Sequence, residues 1–385
     1  MHSKELAMAL TKYKLGPLIE LQDVRNTEGK YTVDDVRGIS TEKDFIETKA
    51  NLDGVSLDSY KIVQSNEFAY VADTSRRGDK IALAFNTQGE ILISSIYTVF
   101  RVKRTDLLLS DFLFIYFNRP EFDRYARFNS WGSARETFNW EDMCDIELEL
   151  PSPEIQQKYV NIYKAMVENQ KSYERGLDDL KLVCDGYFDK AKKEHMVKLG
   201  DVIKKLDERN SDYKYDISYV RGINNKKEFT QTKADITDTD LSKFLIIRPN
   251  SFAYNSRTDG RDMLVLALNR NKDPVIVTWN YNAFCIKDEF IEDLNPEYLY
   301  AYFKRSEFDR LVRFMSWGSS QELLTWDNLC DIRVPFPNIA EQNSITNISI
   351  IYQHCKSINE KLKEQIKNIC PILIKGSIEE AKKEA

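Results

Sequence analysis

The sequence has few of the residues from which metal and catalytic sites are usually built. Its three histidines are His2, His195 and His354, and none lies in the H-x-x-x-H or H-E-x-x-H spacing of a catalytic zinc site. It contains no G-x-G-x-x-G segment and no Walker A motif, the glycine-rich patterns that bind nucleotide phosphates. The sequence therefore predicts no metal, no cofactor and no catalytic residues in this chain.

The sequence also lacks paired cysteines and long apolar runs. Its six cysteines are scattered with no C-x-x-C spacing, which is typical of reduced thiols rather than of zinc ribbons or redox motifs. No run of about 18 apolar residues is present, and the first residues have no apolar core of signal-peptide length. We therefore expect a cytoplasmic protein that does not span a membrane.

An excess of basic residues is missing too. The formal net charge is −6, whereas proteins that bind nucleic acid non-specifically are usually basic. The charge does not exclude DNA binding, because basic residues can be concentrated on one face. The length of 385 residues is sufficient for two domains.

What the sequence does contain is an internal duplication. Val36–Ile39 recurs as Val220–Ile223, and Ser130–Ser133 recurs as Ser316–Ser319. Similar matches continue in register through each half, so we predict two domains of one fold rather than a solenoid. Strand-like and helical segments alternate within each copy, which predicts a mixed α/β (α+β) fold.

Each copy leads through a proline-containing junction into a long helix. Ser152 and Pro153 fit the N-cap and first helical position of the first helix, and Asn338 with Glu341 resembles a capping box at the second. The predicted organisation is a target-recognition domain over 1–151, a spacer helix over 152–197, a second domain over 198–337 and a second helix over 338–385.

Both long helices carry a heptad-like stripe, which predicts that they pair. The residues expected to pack are Ile155, Tyr159, Ile162, Met166, Tyr173, Leu177, Leu180, Ile345, Ile348, Tyr352, Leu362, Ile366 and Ile369. Asn169 and Asn359 also fall on the stripe, where they either fix the register or occupy exposed positions. Pro371 is expected to kink or end the second helix.

A helix from Glu154 to His195 would be roughly 60 Å long at 1.5 Å per residue. The nearest partner for each helix is the other one, and an antiparallel coiled coil would relate the two domains by a pseudo-twofold axis. That symmetry suits double-stranded DNA.

Two arginine-containing loops are the first candidates for reading DNA. Residues 76–80 (Arg-Arg-Gly-Asp-Lys) and 257–261 (Arg-Thr-Asp-Gly-Arg) lie at matching places between strand-like segments. An arginine can contact O6 and N7 of guanine together, although a solvated turn explains the same residues. Asn86 and Asn269 can contact adenine or simply end their strands. The candidate contacts are Arg76, Arg77, Lys80, Asn86, Arg257, Arg261 and Asn269.

A second pair of loops shares the sequence Ser-Trp-Gly-Ser. Their hydroxyl and backbone N–H groups can bind phosphate, and Arg135 and Gln321, at matching positions, would prefer different bases. For Trp131 and Trp317 we favour a packing role that anchors the domain to its helix. The candidate contacts are Ser130, Gly132, Ser133, Arg135, Ser316, Gly318, Ser319 and Gln321.

In its order of elements the chain resembles the specificity subunits of type I restriction–modification systems. The resemblance rests on Lys198–Ile203 (Lys-Leu-Gly-Asp-Val-Ile), on the Ser-Trp-Gly-Ser loops, and on the junctions Leu148–Gln157 and Ile332–Gln342. These junctions resemble the pattern Ile-x-x-Pro-x-Pro-x-x-x-x-Gln. The likeness extends over essentially the whole chain. The first copy departs from it at Pro17-Leu18-Ile19, where the second has Asp-Val-Ile.

The resemblance implies a non-enzymatic DNA-binding subunit. Each domain would read one half of a split target, with the helices as a spacer between half-sites roughly one helical turn (34–36 Å) apart. The helices would dock two methyltransferase subunits carrying S-adenosylmethionine, and through them ATP-driven restriction subunits. Because the domains are alike, we expect related but not identical half-sites.

Other functions fit the same residues. The chain can be the recognition subunit of another restriction system that cuts on both sides of its site. It can also be a coiled-coil scaffold that binds proteins rather than DNA, which the acidic balance favours and the paired arginine loops oppose. A methyltransferase with eroded motifs would reveal itself by binding S-adenosylmethionine.

Overall fold

The computed structural model describes residues 12–74, 80–133, 135–232, 235–236, 239–258, 263–318 and 321–384. These residues form two mixed α/β modules with the same order of elements, each followed by a long helix. The predicted fold class is confirmed in these features.

The first module is built around an antiparallel sheet. Its strands are β1 (Lys12–Lys14), β2 (Ile19–Gln22), β3 (Arg37–Ile39), β4 (Phe45–Glu47), β5 (Lys61–Val63), β6 (Glu67–Tyr70), β7 (Leu83–Phe85), β8 (Ile91–Ile93), β9 (Thr98–Val102) and β10 (Glu147–Glu149). Its helices are α1 (Ser110–Phe117), α2 (Pro120–Phe128) and α3 (Trp140–Cys144), and the long helix α4 (Pro153–Glu194) follows. The central sheet has the order β2-β9-β6-β7, and β1 pairs with β10, β3 with β4 and β5 with β8.

The second module repeats this topology. Its strands are β11 (Met196–Lys198), β12 (Ile203–Leu206), β13 (Arg221–Ile223), β14 (Phe229–Gln231), β15 (Leu245–Ile247), β16 (Phe252–Asn255), β17 (Leu266–Leu268), β18 (Val275–Val277), β19 (Tyr281–Ile286) and β20 (Arg333–Pro335). Its helices are α5 (Leu199–Val202), α6 (Pro296–Phe303), α7 (Ser306–Met315) and α8 (Trp326–Asp331), followed by α9 (Ile339–Glu384). The central sheet has the order β12-β19-β16-β17.

Both faces of the central sheets are covered, which explains their nearly continuous apolar strands. In β6, Phe68 and Tyr70 belong to the core beneath the helices, whereas Ala69 belongs to a second cluster on the other face. This alternation follows from the two-residue period of a strand. The Phe68 ring stacks on Phe100 of β9 with centroids 5.0 Å apart, and the corresponding rings in the second module are 4.8 Å apart.

The chain divides into two compact units that each contain one module and half of each long helix. Residues up to Tyr173 and those from Ile358 onward form the first unit, and Glu174–Ser357 form the second. In the first unit Lys158 of α4 pairs with Glu380 of α9 at 2.7 Å, and Gln170 contacts Asn359. Residues later in α4 contact residues earlier in α9, so the two helices are antiparallel in this unit.

The helix starts follow the predicted caps, and of the two effects predicted for Pro371, a kink or a helix end, the helix end is wrong. The Asn338 Oδ1 accepts the N–H of Glu341 at 3.0 Å, and α4 begins at Pro153 directly after Ser152. Helix α9 continues through Pro371 to Glu384 rather than ending near Cys370. Cys370, Leu373 and Ile374 are buried in the core of the first unit, and this packing supports the helix beyond the proline.

The predicted stripe is correct for α9 and for most of α4. On α9 the stripe residues are buried or half-buried, as in Ile345. On α4, Ile162 and Tyr173 are exposed, whereas Gln156, Val160, Tyr163 and Gln170, which were not predicted, are buried or half-buried. The other predicted positions of α4, Ile155, Tyr159, Met166, Leu177 and Leu180, are buried or half-buried.

The polar stripe position is displaced. Asn169 is exposed, whereas Gln170 is buried and its Nε2 donates to Oδ1 of the buried Asn359 at 2.9 Å. A paired buried amide of this kind makes one register preferable to its neighbours.

Among the described residues, no helix combines the length and the apolar character needed to cross a membrane. The same residues include no group of three or more His, Cys, Asp or Glu side chains arranged to hold a metal ion.

Candidate nucleic-acid interface

In the first unit, the fold places the segment that enters the arginine loop beside the Ser-Trp-Gly-Ser hairpin. The chain entering the arginine loop, Ala72–Thr74, pairs with the segment that closes the Ser-Trp-Gly-Ser hairpin. The Thr74 N–H donates to the Glu136 carbonyl at 2.9 Å, and the Phe138 N–H donates to the Ala72 carbonyl at 2.8 Å. Because about sixty residues separate the two segments in sequence, their proximity could not be predicted from the sequence.

The second unit has the same arrangement. The Thr258 N–H donates to the Glu322 carbonyl at 2.9 Å, and the Leu324 N–H donates to the Ser256 carbonyl at 2.8 Å. Arg257 is exposed on this paired segment. In each unit the segment that enters the arginine loop is therefore paired with the hairpin, although the two are far apart in sequence.

The arginine loops are only partly described. Arg76, Arg77, Arg261 and Ser319 lie outside the described residues. Lys80 is exposed and forms a 2.9 Å surface ion pair with Glu42. A surface pair of this kind contributes little stability and can be exchanged for a phosphate contact.

A buried ion pair that the sequence did not indicate contacts the residue that follows the arginine loop. Lys43 Nζ lies 2.5 Å from Asp123 Oδ1, and the same carboxylate oxygen accepts the N–H of Ile81, just after the loop. In the second unit Lys227 and Asp309 are 2.6 Å apart, and Asp309 accepts the Leu264 N–H at 3.0 Å.

The environment of this ion pair is largely apolar. Burial lowers the pKa of both lysines and raises the pKa of the Asp309 carboxyl. In the sequence the pair is reflected in the recurrence of Glu-Phe-Asp-Arg at 121–124 and 307–310 and of Lys43 as Lys227. Asp123 fixes the residue Ile81 after the first arginine loop, and Asp309 fixes Leu264 after the second.

Two of the predicted contact residues are asparagines enclosed by their own turns. Asn86 and Asn269 are buried, and the Asn86 Nδ2 donates to the carbonyls of Val63, Gln64 and Gly89 at 2.9–3.1 Å. Asn269 donates to Ile247 and Asp273 in the same way. The interpretation of these asparagines as adenine readers is therefore wrong, and they terminate strands instead.

The first serines of the Ser-Trp-Gly-Ser loops also face inward. The Ser130 hydroxyl donates to the Ala126 carbonyl at 2.6 Å, and the Ser316 hydroxyl donates to the Val312 carbonyl at 2.8 Å. Both serines are buried, so the expectation that they bind phosphate is wrong. Ser133, Arg135 and Gln321 are exposed, as a contact role requires.

The tryptophans of these loops do not anchor the modules. Trp131 and Trp317 are 64% and 71% exposed, so the packing role predicted for them is wrong. Their backbones are fixed, because Trp131 exchanges two hydrogen bonds with Thr137 at 3.1 and 3.0 Å. The modules instead anchor their helices through Gln156 and Gln342, which are fully buried.

Glycine is required at the tip of each hairpin. Gly132 has a φ of +145°, and a Cβ at Gly132 or Gly318 would overlap the carbonyl oxygen of Arg135 or Gln321. The tight turn holds these exposed side chains close to the preceding tryptophan.

Gly132→Ala is expected to open the hairpin and destabilise it by about 1–3 kcal/mol, because the overlap involves backbone that cannot rotate away. Hydrogen exchange of residues 130–138 should accelerate. Gly89→Ala is the control, since a Cβ there meets nothing within 4 Å. Equal exchange in both variants would show that the turn is not constrained as described.

The hairpin segments are basic in an otherwise acidic chain. Residues 124–135 include three arginines and no acidic residue, and residues 310–321 include two arginines before Gln321 and again no acidic residue. Arg127 pairs with Glu136 at the edge of the first hairpin. Acidic residues flank both segments, and the arginines between them can contact the phosphates of DNA.

A family model and two solved structures are similar to this chain. Residues 192–368 match the family model described as "Type I restriction modification DNA specificity domain". The fold is similar to that of the S subunit of the type I restriction–modification system from M. genitalium, with a TM-score of 0.56 and 13% identity over 95% of each chain. The HsdS subunit from Thermoanaerobacter tengcongensis is 14% identical over 96% of each chain, with a TM-score of 0.38. No similar sequence was found among curated proteins.

Proposed function

Because residues 192–368 match the family model of the type I restriction–modification DNA specificity domain, we propose that this chain reads a split DNA target with one half-site per unit. The observation that carries the proposal is the pairing, in both units, of the segment that enters an arginine loop with an exposed hairpin that carries arginines. The two copies have the same fold and different exposed side chains, so each copy can read a different half of a two-part target.

The two units differ where base contacts are expected. Arg135 in the first unit corresponds to Gln321 in the second. Arginine contacts guanine O6 and N7, whereas glutamine contacts adenine N6 and N7. The half-sites are therefore related in geometry and different in at least one base.

The catalytic groups belong to partner subunits in this proposal. A methyltransferase would supply S-adenosylmethionine and an ATP-dependent subunit would supply restriction, while this chain supplies target choice. The net charge of −6 fits this division, because partner subunits can provide much of the surface that neutralises phosphates. The isolated chain should then bind DNA weakly and with little selectivity.

The proposal is tested by expressing the chain with the methyltransferase encoded beside it in a host free of methylation. Modified bases are then mapped across the genome. A split motif with a fixed unspecified gap is the expected result. Association of the two proteins without any motif would remove DNA reading from this chain, and failure to associate would favour the scaffold alternative.

Arg135→Gln is expected to move the preference of one half-site from guanine toward adenine at one position. Affinity for the original target should fall roughly 10- to 100-fold, which corresponds to the loss of one bidentate base contact. Gln321→Arg should do the reverse in the other half-site. The check is the methylated motif of each variant.

Arg124→Gln is the matched control for charge. Arg124 is exposed, and it forms a surface ion pair with Glu121 at 3.3 Å. Its loss should weaken binding to all sequences alike without changing the motif. If Arg135→Gln behaves in that same way, Arg135 contacts the backbone of DNA rather than a base.

A further inference from the structure

Each unit exposes two large aromatic side chains near the C-terminal end of a module helix, α2 in the first unit and α7 in the second. Phe128 and Phe314 are both 76% exposed, and Trp131 and Trp317 follow three residues later. Single exposed apolar residues are common on protein surfaces. The same exposed pair at the same place in both units is not explained by the packing of either unit.

The backbone that carries these aromatics is held firmly. In the second unit Trp317 exchanges two hydrogen bonds with Leu323, and the preceding Ser316 hydroxyl caps the helix through Val312. The first unit has the equivalent bonds. A rigid backbone with an exposed aromatic side chain loses little conformational entropy when that side chain binds a partner.

The surroundings favour DNA over an apolar protein groove. The aromatic pairs lie within the basic segments 124–135 and 310–321, which have no acidic residue. They also adjoin the paired segments that lead into the arginine loops. On duplex DNA, the large apolar surfaces that can receive an aromatic ring are the faces of the stacked bases.

We propose that each aromatic pair, Phe128 with Trp131 and Phe314 with Trp317, is a wedge that enters the base stack of its half-site and separates two neighbouring base pairs. The inference rests on the proposed function and adds to it a distortion of the target. Burial of the rings against base faces offsets the cost of unstacking. Selectivity then includes the ease with which each half-site opens at the wedge.

The test uses the full chain in complex with the methyltransferase encoded beside it, on target duplexes with 2-aminopurine at successive positions of each half-site. The fluorescence of 2-aminopurine rises when the base loses its neighbours. The variants are Trp131→Ala, Trp317→Ala and the conservative Trp131→Phe. The control is Ile291→Ala. It removes an exposed apolar side chain that follows the C-terminal end of β19 and belongs to neither aromatic pair.

The wild-type complex should raise the fluorescence at one step in each half-site. Trp131→Ala should abolish the rise in one half-site only, and Trp317→Ala in the other only, with affinity reduced roughly 10- to 100-fold. Trp131→Phe and Ile291→Ala should retain both signals. Thermal unfolding and size-exclusion chromatography confirm that each variant is folded and bound to the methyltransferase.

Several results would overturn the wedge. If the wild-type complex selects its target and both alanine variants match it in affinity and fluorescence, the wedge is wrong and the proposed function stands. If the alanine variants lose the methyltransferase but not DNA affinity, the aromatics dock a protein. If the wild-type complex shows no sequence preference, the proposed function fails and the wedge fails with it.

Discussion

Replacing Asp123 by Asn is expected to lower the free energy of unfolding of the first unit by about 3–5 kcal/mol. The change leaves the ammonium of Lys43 buried without an opposite charge, and this is much more costly than losing a surface ion pair. Asparagine keeps an oxygen that can accept the Ile81 N–H, so the variant isolates the effect of charge. Urea unfolding combined with hydrogen exchange measures the loss in each unit separately.

Two further variants test the cause of that loss. Glu121→Gln changes an exposed carboxylate on the same helix, paired with Arg124, and should alter stability by less than about 0.5 kcal/mol. Lys43→Met combined with Asp123→Asn removes both charges and should recover more than half of the loss. A double variant as unstable as Asp123→Asn alone would show that geometry, not unpaired charge, is responsible.

Gln156→Ala is expected to destabilise the first unit by about 3–5 kcal/mol. The Gln156 side chain is fully buried, its Nε2 donates to the carbonyls of Leu107 and Pro151 at 2.7 and 2.9 Å, and its Oε1 accepts the Leu109 N–H. Alanine would leave three buried or half-buried backbone groups without these partners, and a fully buried group left unpaired costs about 1–3 kcal/mol. Chemical denaturation with hydrogen exchange near the start of α4 is the measurement.

The neighbouring glutamine is a matched control. Gln157 is exposed and contacts Asn161 on the helix surface, so Gln157→Ala should change stability by no more than about 0.5 kcal/mol. Gln342 makes the same three bonds in the second unit, to Asp293, Pro337 and Asn295. Equal effects from Gln156→Ala and Gln157→Ala would contradict the assignment of the junction to Gln156.

This comparison also corrects the junction seen in sequence. The pattern, counted from Leu148, extended the first junction to Gln157, whereas the register of the duplication, which matches Ile146 with Ile332, places Gln156 opposite Gln342. The structure identifies Gln156 as the counterpart of Gln342 by its partners. The register of the repeat is therefore a better guide to this junction than the pattern with its unspecified positions.

The duplication, the order of module and helix, the helix caps and the inward face of α9 were all determined by the sequence alone. Each depends on signals that are local or periodic: repeated motifs, a capping residue before a helix, and apolar residues at heptad spacing. The absence of zinc and nucleotide motifs is a property of the same kind. Such signals can be read from the sequence because they depend on residues that are close together in the chain and not on distant segments.

Only the tertiary structure decided which side chains face inward and which loops meet. Asn86 and Ser130 looked available and are enclosed, whereas Trp131 looked like a core residue and is exposed. The helix continues through Pro371 because its flanking residues are buried in a core built from distant segments. The buried pair of Lys43 and Asp123, eighty residues apart, has no local signature. These outcomes depend on contacts between segments far apart in sequence, and local propensities do not encode such contacts.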